Sequence, residues 1–487
     1  FTPEVVRAAL NPLADQTETA RNANSTVRRA LPSEASPNAS WPTRRPIAVR
    51  LAAALTGIVG ITLGWIGLRG PAPIAPIGQF NPALYSTQTI EKGRQLVALG
   101  NCVSCHTSAG GVSNAGGLGI HTPFGTVYST NLTPDVETGI GTWSLSAFRR
   151  AMRDGISRDG HLLYPAFPYT SFKNMTDEDI ASIYAYLMVQ PPVTQHNPTT
   201  QLSAPFSYRP LLAVWNALYS EPSSAETVTA DKGELWNRGA YLVNGVGHCS
   251  ACHTPRDKLG GEKLGQGFLS GAWIKGWEAP SLTALSKSPV RWTEQSFYDY
   301  LRSGFSSEHG SASGPMAPVV QQLSSVPDSD IKAMAHYLAS FQQPATQKQT
   351  ELAAQQYIVA AQTQSASLLG SAQRMFTMAC AACHHDGDGP KLLGVNVPLA
   401  LNTNLHSDKP DNVIRVILEG VRKPASKAIG FMPSFSGQLD DEQLSSLVQY
   451  MRARFAPDKP AWSDLEKSVA RIREEVSHPT VVSSPAK

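Results

Sequence analysis

Cysteine is scarce in this 487-residue chain, and none of the six lies outside a Cys-x-x-Cys-His string. No thiol is left over for a disulfide framework or a lone cysteine nucleophile. No Gly-x-Ser-x-Gly and no phosphate-binding glycine loop occurs, which excludes a serine hydrolase and a nucleotide-binding enzyme. A strong charge of one sign is also missing. The net charge of +3 leaves no basic surface for a nucleic-acid partner. Glycine and proline are plentiful, at 38 and 36 residues, and they foretell long loops.

What the chain does have is one motif in three copies: Cys102-Val-Ser-Cys105-His106, Cys249-Ser-Ala-Cys252-His253 and Cys380-Ala-Ala-Cys383-His384. This spacing is that of c-type haem attachment. The two sulfurs form thioethers to the porphyrin and the adjacent histidine supplies a nitrogen to iron. Structural zinc would pair two such knuckles closely, but here the motifs are 147 and 131 positions apart. A thioredoxin-type dithiol leaves the histidine unexplained, and a disulfide across two residues is strained. The reading is three covalently bound haem c groups. Bacteria attach haem by thioethers outside the cytoplasm, so the bulk of the chain is expected in the periplasm.

Residues 51–68, LAAALTGIVGITLGWIGL, hold no charge and are long enough for a short membrane span. Arg44, Arg45 and Arg50 precede them, which by the positive-inside rule puts the N-terminus in the cytoplasm. A cleaved signal peptide is the alternative, but its apolar core is usually shorter. The expectation is a flexible cytoplasmic tail over 1–50 and an N-terminal transmembrane helix over 51–68.

Beyond it one plan repeats three times. A helix with a glycine precedes each motif, a Gly/Pro-rich stretch follows, and a helix carrying a tyrosine closes the unit. The paired residues are Gly93 and Tyr186, Gly239 and Tyr337, and Gly370 and Tyr450. A glycine opposite an aromatic lets two helices cross closely. Thr176, Asp328 and Asp440 read as capping residues for the closing helices. The plan resembles class I cytochrome c, a small all-α domain around one haem. The fold class expected is all-α, three tandem class I cytochrome c domains preceded by one N-terminal transmembrane helix. The domains are placed at 80–190, 231–341 and 367–456, with linkers over 191–230 and 342–366 and a tail over 457–487.

An electron-transfer haem with histidine on one side commonly takes methionine on the other. The repeat locates Met432 in the third unit, within Phe-Met-Pro, and Met316 in the second, within Gly-Pro-Met. In the first unit Phe167 stands in that place and cannot bind iron; Met175, eight residues on, is the candidate instead. The competing role for Met175 is a hydrophobic staple on the closing helix, as for Leu439. The candidate metal ligands are therefore His106, Met175, His253, Met316, His384 and Met432.

Three strings in unit one carry a family resemblance: Thr122-Pro-Phe-Gly-Thr-Val-Tyr-Ser-Thr-Asn-Leu-Thr-Pro, Thr138-Gly-Ile-Gly-Thr-Trp and Asp159-Gly-His-Leu-Leu-Tyr-Pro-Ala-Phe-Pro-Tyr. They resemble the triple-haem cytochrome c subunits of membrane-bound bacterial alcohol, aldehyde, gluconate and fructose dehydrogenases, over about residues 85–455. The resemblance implies a subunit without its own catalytic residues. It would take electrons from a dehydrogenase catalytic subunit and pass them to ubiquinone at the bacterial inner membrane. The apparent N-terminal helix favours an aldehyde-oxidising partner with a molybdopterin subunit and a small Fe–S subunit. Two other readings remain open here: a stand-alone peroxidase-like haem enzyme using an open first iron, and the cytochrome subunit of a terminal oxidase.

Overall fold

The computed structural model describes residues 71–220, 229, 231–384, 398–422, 424–425 and 430–478. All of them lie in one compact unit, Gly64–Lys487. The first repeat opens with α1 (Thr87–Leu99), capped by Ser86, whose Oγ accepts from the Thr89 N–H at 3.0 Å. α2 (Cys102–Cys105) puts both cysteines of the first motif on one turn. A hairpin of β1 (Gly119–Thr122) and β2 (Gly125–Tyr128) follows. Then come α3 (Leu145–Asp154), the short α4 (Tyr169–Phe172) and α5 (Asp177–Met188). Thr176 caps α5, and three acids in its first turn oppose the positive end of the helix dipole. α1 crosses α5 at Gly93, where a Cβ would stand 1.9 Å from Ser182 O and 2.8 Å from Tyr186 Cβ. Glycine is what permits the crossing.

The segment expected as the first linker carries β3 (Gln201–Leu202), which pairs with β2, and α6 (Leu212–Tyr219). The second repeat begins with α7 (Gly233–Asn244) and α8 (Ser250–His253). Its hairpin is β4 (Ala272–Ile274) and β5 (Trp277–Ala279). α9 (Glu294–Ser303), the pair β6 (Phe305–Ser306) and β7 (Gly310–Ser311), α10 (Met316–Leu323) and α11 (Asp328–Ala339) complete it. α7 crosses α11 at Gly239 by the same device, with a Cβ there 2.0 Å from Ala333 O.

The third repeat departs from this. The segment expected as the second linker is largely α12 (Gln347–Ser367), and its Tyr357 and Ala361 join the third unit's core. α13 (Ser371–Ala379) starts after Gly370, which caps it and has no atom near its missing Cβ. The expected glycine crossing is absent here; Phe376 instead lies 5.7 Å from the Tyr450 ring. α14 (Thr403–His406), α15 (Asp411–Glu419), α16 (Asp441–Phe455) and α17 (Leu465–Ser477) follow. α17 packs against α15 and α16, so much of the expected tail belongs to the domain.

Two corrections concern the fold class. The regular secondary structure of the described residues is mostly helical but includes three small antiparallel sheets, so the fold is not purely α. The transmembrane helix expected over 51–68 lies outside the described residues, and among these no helix is long and apolar enough to cross a membrane. The architecture supported among the described residues is therefore cytochrome-c-type units. Each unit also has a middle helix (α3, α9, α15) that the Gly/Pro-rich composition concealed. Its partners are α5, α11 and α16. One continuous core runs through the first two units, while the third has its own.

Candidate functional site

The first two motifs are each presented by a short helix at the end of a longer one, whereas in the third unit α13 ends at Ala379 and Cys380–His384 follow as a turn. Asn101 and His248, directly before the first cysteines of units one and two, have φ of 47° and 36°. This left-handed step turns the chain from α1 into α2 and from α7 into α8. The histidine that ends each of these two motifs is then held twice. His106 Nδ1 lies 2.7 Å from Thr130 O, and its own carbonyl accepts from Gly116 N–H at 2.8 Å. His253 Nδ1 lies 2.7 Å from Pro280 O, and its carbonyl accepts from Gly271 N–H at 2.8 Å. A carbonyl acceptor fixes the proton on Nδ1 and leaves the Nε2 lone pair for a metal. Burial lowers the pKa of both rings, which keeps them neutral as a metal ligand must be. In the third unit His384 N–H donates to Cys380 O at 2.9 Å, and residues 385–397 lie outside the described residues.

The cysteines form no disulfide. Burial pushes the Cys102 and Cys249 thiols up to about 12, and Cys380 up to about 11. Reactive or zinc-binding thiols need the opposite shift. Cys105 and Cys252 are exposed and border one cavity of about 2330 Å³, walled also by Trp215, Trp273 and Trp277. Small-molecule pockets are ~300–1,000 Å³, so this space accommodates more than one large prosthetic group. Neutral imidazoles with a free Nε2, paired sulfurs and an aromatic cavity fit covalently attached haem c.

The first two motifs face each other. A Cβ on Gly100 would stand 3.2 Å from Val246 Cγ2, and the Phe172 ring lies 5.5 Å from that of His248. The units exchange contacts reciprocally. α10 of unit two touches α1 of unit one, and Tyr241 of α7 donates to Asp179 of α5 at 2.6 Å.

Met316 begins α10 and is half-buried, packing with Tyr300 and Phe305 against a cluster of Ala312, Val320 and, from unit three, Ala425. Met432 is half-buried and paired through its backbone to Val421. Phe167 packs 5.3 Å from Phe172. Met175 is fully buried and directly precedes the cap of α5, with Ile180 equally buried five residues on. Val326 with Ile331, and Leu439 with Leu444, repeat that staple in the other units.

Several residues sit where the pattern did not put them. His309 and His406, outside every motif, are buried. His309 stacks on Trp292 at 3.7 Å, and burial pushes it down to about 3. His406 Nε2 lies 2.9 Å from Ala400 O, and burial pushes it down to about 4. His161 pairs with Asp159 at 2.6 Å. Arg149 and Arg153 pair with Asp177, and Arg150 donates to the carbonyls of Ala72 and Ser157.

Residues 90–190 and 237–342 match the cytochrome c family, and residues 368–451 match "Cytochrome C oxidase, cbb3-type, subunit III". The chain is 49% identical to a nicotinate dehydrogenase subunit from Pseudomonas putida over 86% of its own length. It spans 35% of that longer relative. It is 35% identical to the fructose dehydrogenase cytochrome subunit of Gluconobacter japonicus, covering 77% of this chain and 81% of that one. It is 37% identical to the alcohol dehydrogenase (quinone) cytochrome c subunit of Gluconacetobacter polyoxogenes, covering 76% and 81%.

Proposed function

This chain belongs to the cytochrome c subunits of bacterial membrane-bound dehydrogenases, and we propose that it relays electrons from a dehydrogenase catalytic subunit to ubiquinone. The observation that carries this reading is the doubly held histidine of the first two motifs, beside cysteines that open onto one shared cavity. Haem c supplies reversible one-electron transfer when bound. The protein's own part is to fix each imidazole, bring the first two motifs side by side and exclude water from them. No acid, base or nucleophile is needed.

The relative named as a quinone enzyme supports a quinone as acceptor; the proposed place of the reaction is the periplasmic face of the inner membrane. An aldehyde-oxidising donor with molybdopterin and Fe–S subunits is proposed. The likeness to nicotinate dehydrogenase makes a nicotinate-type substrate the second candidate. The purified native complex is expected to contain three haem c per chain by pyridine haemochrome assay. Substrate should reduce all three, and a short-chain ubiquinone should reoxidise them. A haem count of two or fewer, or haems that stay reduced with quinone, refutes the relay.

We propose that Met175 would be the second residue to hold the iron of the first haem, because unit one swaps residues at two repeat positions. It has Phe167 where Met316 and Met432 stand, and a sulfur where Val326 and Leu439 stand. Met175→Ala is then expected to change the spectrum and potential of that haem alone. It should also cost about 2–5 kcal/mol as a core truncation. Lost stability with an unaltered spectrum leaves Met175 as a staple only and the first iron open.

A further inference from the structure

The hairpin that holds His253 is gripped by the third unit. β4 and β5 join through Lys275 and Gly276, with φ of 52° and 76°, as a two-residue turn of the primed kind requires. The hairpin meets His253 at both ends: Gly271, just before β4, donates to its carbonyl, and Pro280, just after β5, accepts at its Nδ1. The outer edge of β5 would otherwise offer unpaired backbone groups. Asn412 of α15 satisfies them. Its Oδ1 accepts from Glu278 N–H at 2.9 Å and its Nδ2 donates to Glu278 O at 2.9 Å. Arg415, one turn on, donates from Nε to Gly276 O at 2.7 Å.

Unit one shows what this replaces. There β2 of the matching hairpin is edged by a real strand, β3, pairing Gly125 with Leu202 and Thr126 with Gln201. That strand comes from the chain just after unit one itself. In unit two the place of the third strand is taken by two side chains from another unit.

We infer that Asn412 and Arg415 are positioning residues that hold the Pro280 carbonyl against His253, so that docking of the third unit sets the reduction potential of the second haem. The inference rests on the haem reading of the second motif. A firm Nδ1–H···O bond makes the imidazole more electron-rich and favours ferric iron. Loosening the hairpin weakens that bond and raises the potential.

Spectroelectrochemical titration of the purified full-length chain tests it. The second haem's transition is identified as the one missing from Cys249→Ala/Cys252→Ala. If that double variant keeps the parent's haem count, the haem reading of this motif fails. Asn412→Ala is expected to raise the second haem's potential by up to about tenfold in its one-electron equilibrium, or about 59 mV. Arg415→Lys, which keeps the charge and removes the Nε donor, should shift it the same way by less. The first haem should hold its potential in both. An unmoved second haem, an equal shift in all haems, or loss of folding in both variants overturns the inference.

Discussion

Gly239→Ala is expected to stop the second unit from closing and to deplete haem from Cys249 and Cys252. The added Cβ would lie 2.0 Å from Ala333 O and 2.6 Å from Tyr337 Cβ, and neither is the far end of a flexible side chain. α7 and α11 must move apart, which opens the core around Leu242, Ile331 and Met334. Overpacking of this kind costs typically ~1–3 kcal/mol and occasionally more. Alanine's better helix propensity returns only about 0.5–1 kcal/mol. The clash therefore wins, against a domain stability of only ~5–15 kcal/mol. Gly437→Ala is the control, because nothing lies within 4 Å of its Cβ position. Thermal unfolding and haem content of the two variants decide the matter. A Gly239→Ala protein as stable as Gly437→Ala would show that the helices do not need the close crossing.

Met432→His is expected to lower the potential of the third haem by a tenth or more of the ~0.8 V range that axial ligands span. Thioether sulfur favours ferrous iron, and a second imidazole favours ferric iron. The backbone at this position is well held: Met432 O accepts from Val421 N–H at 2.9 Å and Met432 N–H donates to Val421 O at 3.2 Å. Gly420, with φ of 71°, permits the approach, since a Cβ there would stand 2.5 Å from Met432 O. The histidine should thus point where the methionine pointed. Redox titration should show one transition moved downward and the others unmoved. A third haem with its parent potential would remove Met432 from the ligand set.

Much of the site was legible because its parts are local. Two cysteines and a histidine within five residues specify one attachment turn wherever they occur. The closing helices were legible from caps and periodicity: Thr176 and Asp440 cap α5 and α16, and α11 starts at Asp328 itself, one residue earlier than expected. Gly93 and Gly239 lie at crossings as the pattern required, but Gly370 does not, because α13 starts only after it. The middle helices were hidden. α3 and α9 are ten-residue elements between glycine-rich loops, and their helical character rests on burying one face against the closing helix. The burial of His309 and His406 has no sequence signature for a related reason: burial belongs to the surroundings, and no local pattern announces it.

By itself, the sequence determined the three attachment motifs, the cytochrome c character and the choice of methionines to propose for the second and third haems, since each depends on residues near one another along the chain. Only the tertiary structure decided that the first two units share one core. It also showed that the supposed second linker is a helix of the third unit, and that Asn412 completes a hairpin 134 positions away. Those contacts form between distant segments, where unsatisfied backbone groups and uncovered apolar faces find partners only once the chain is folded.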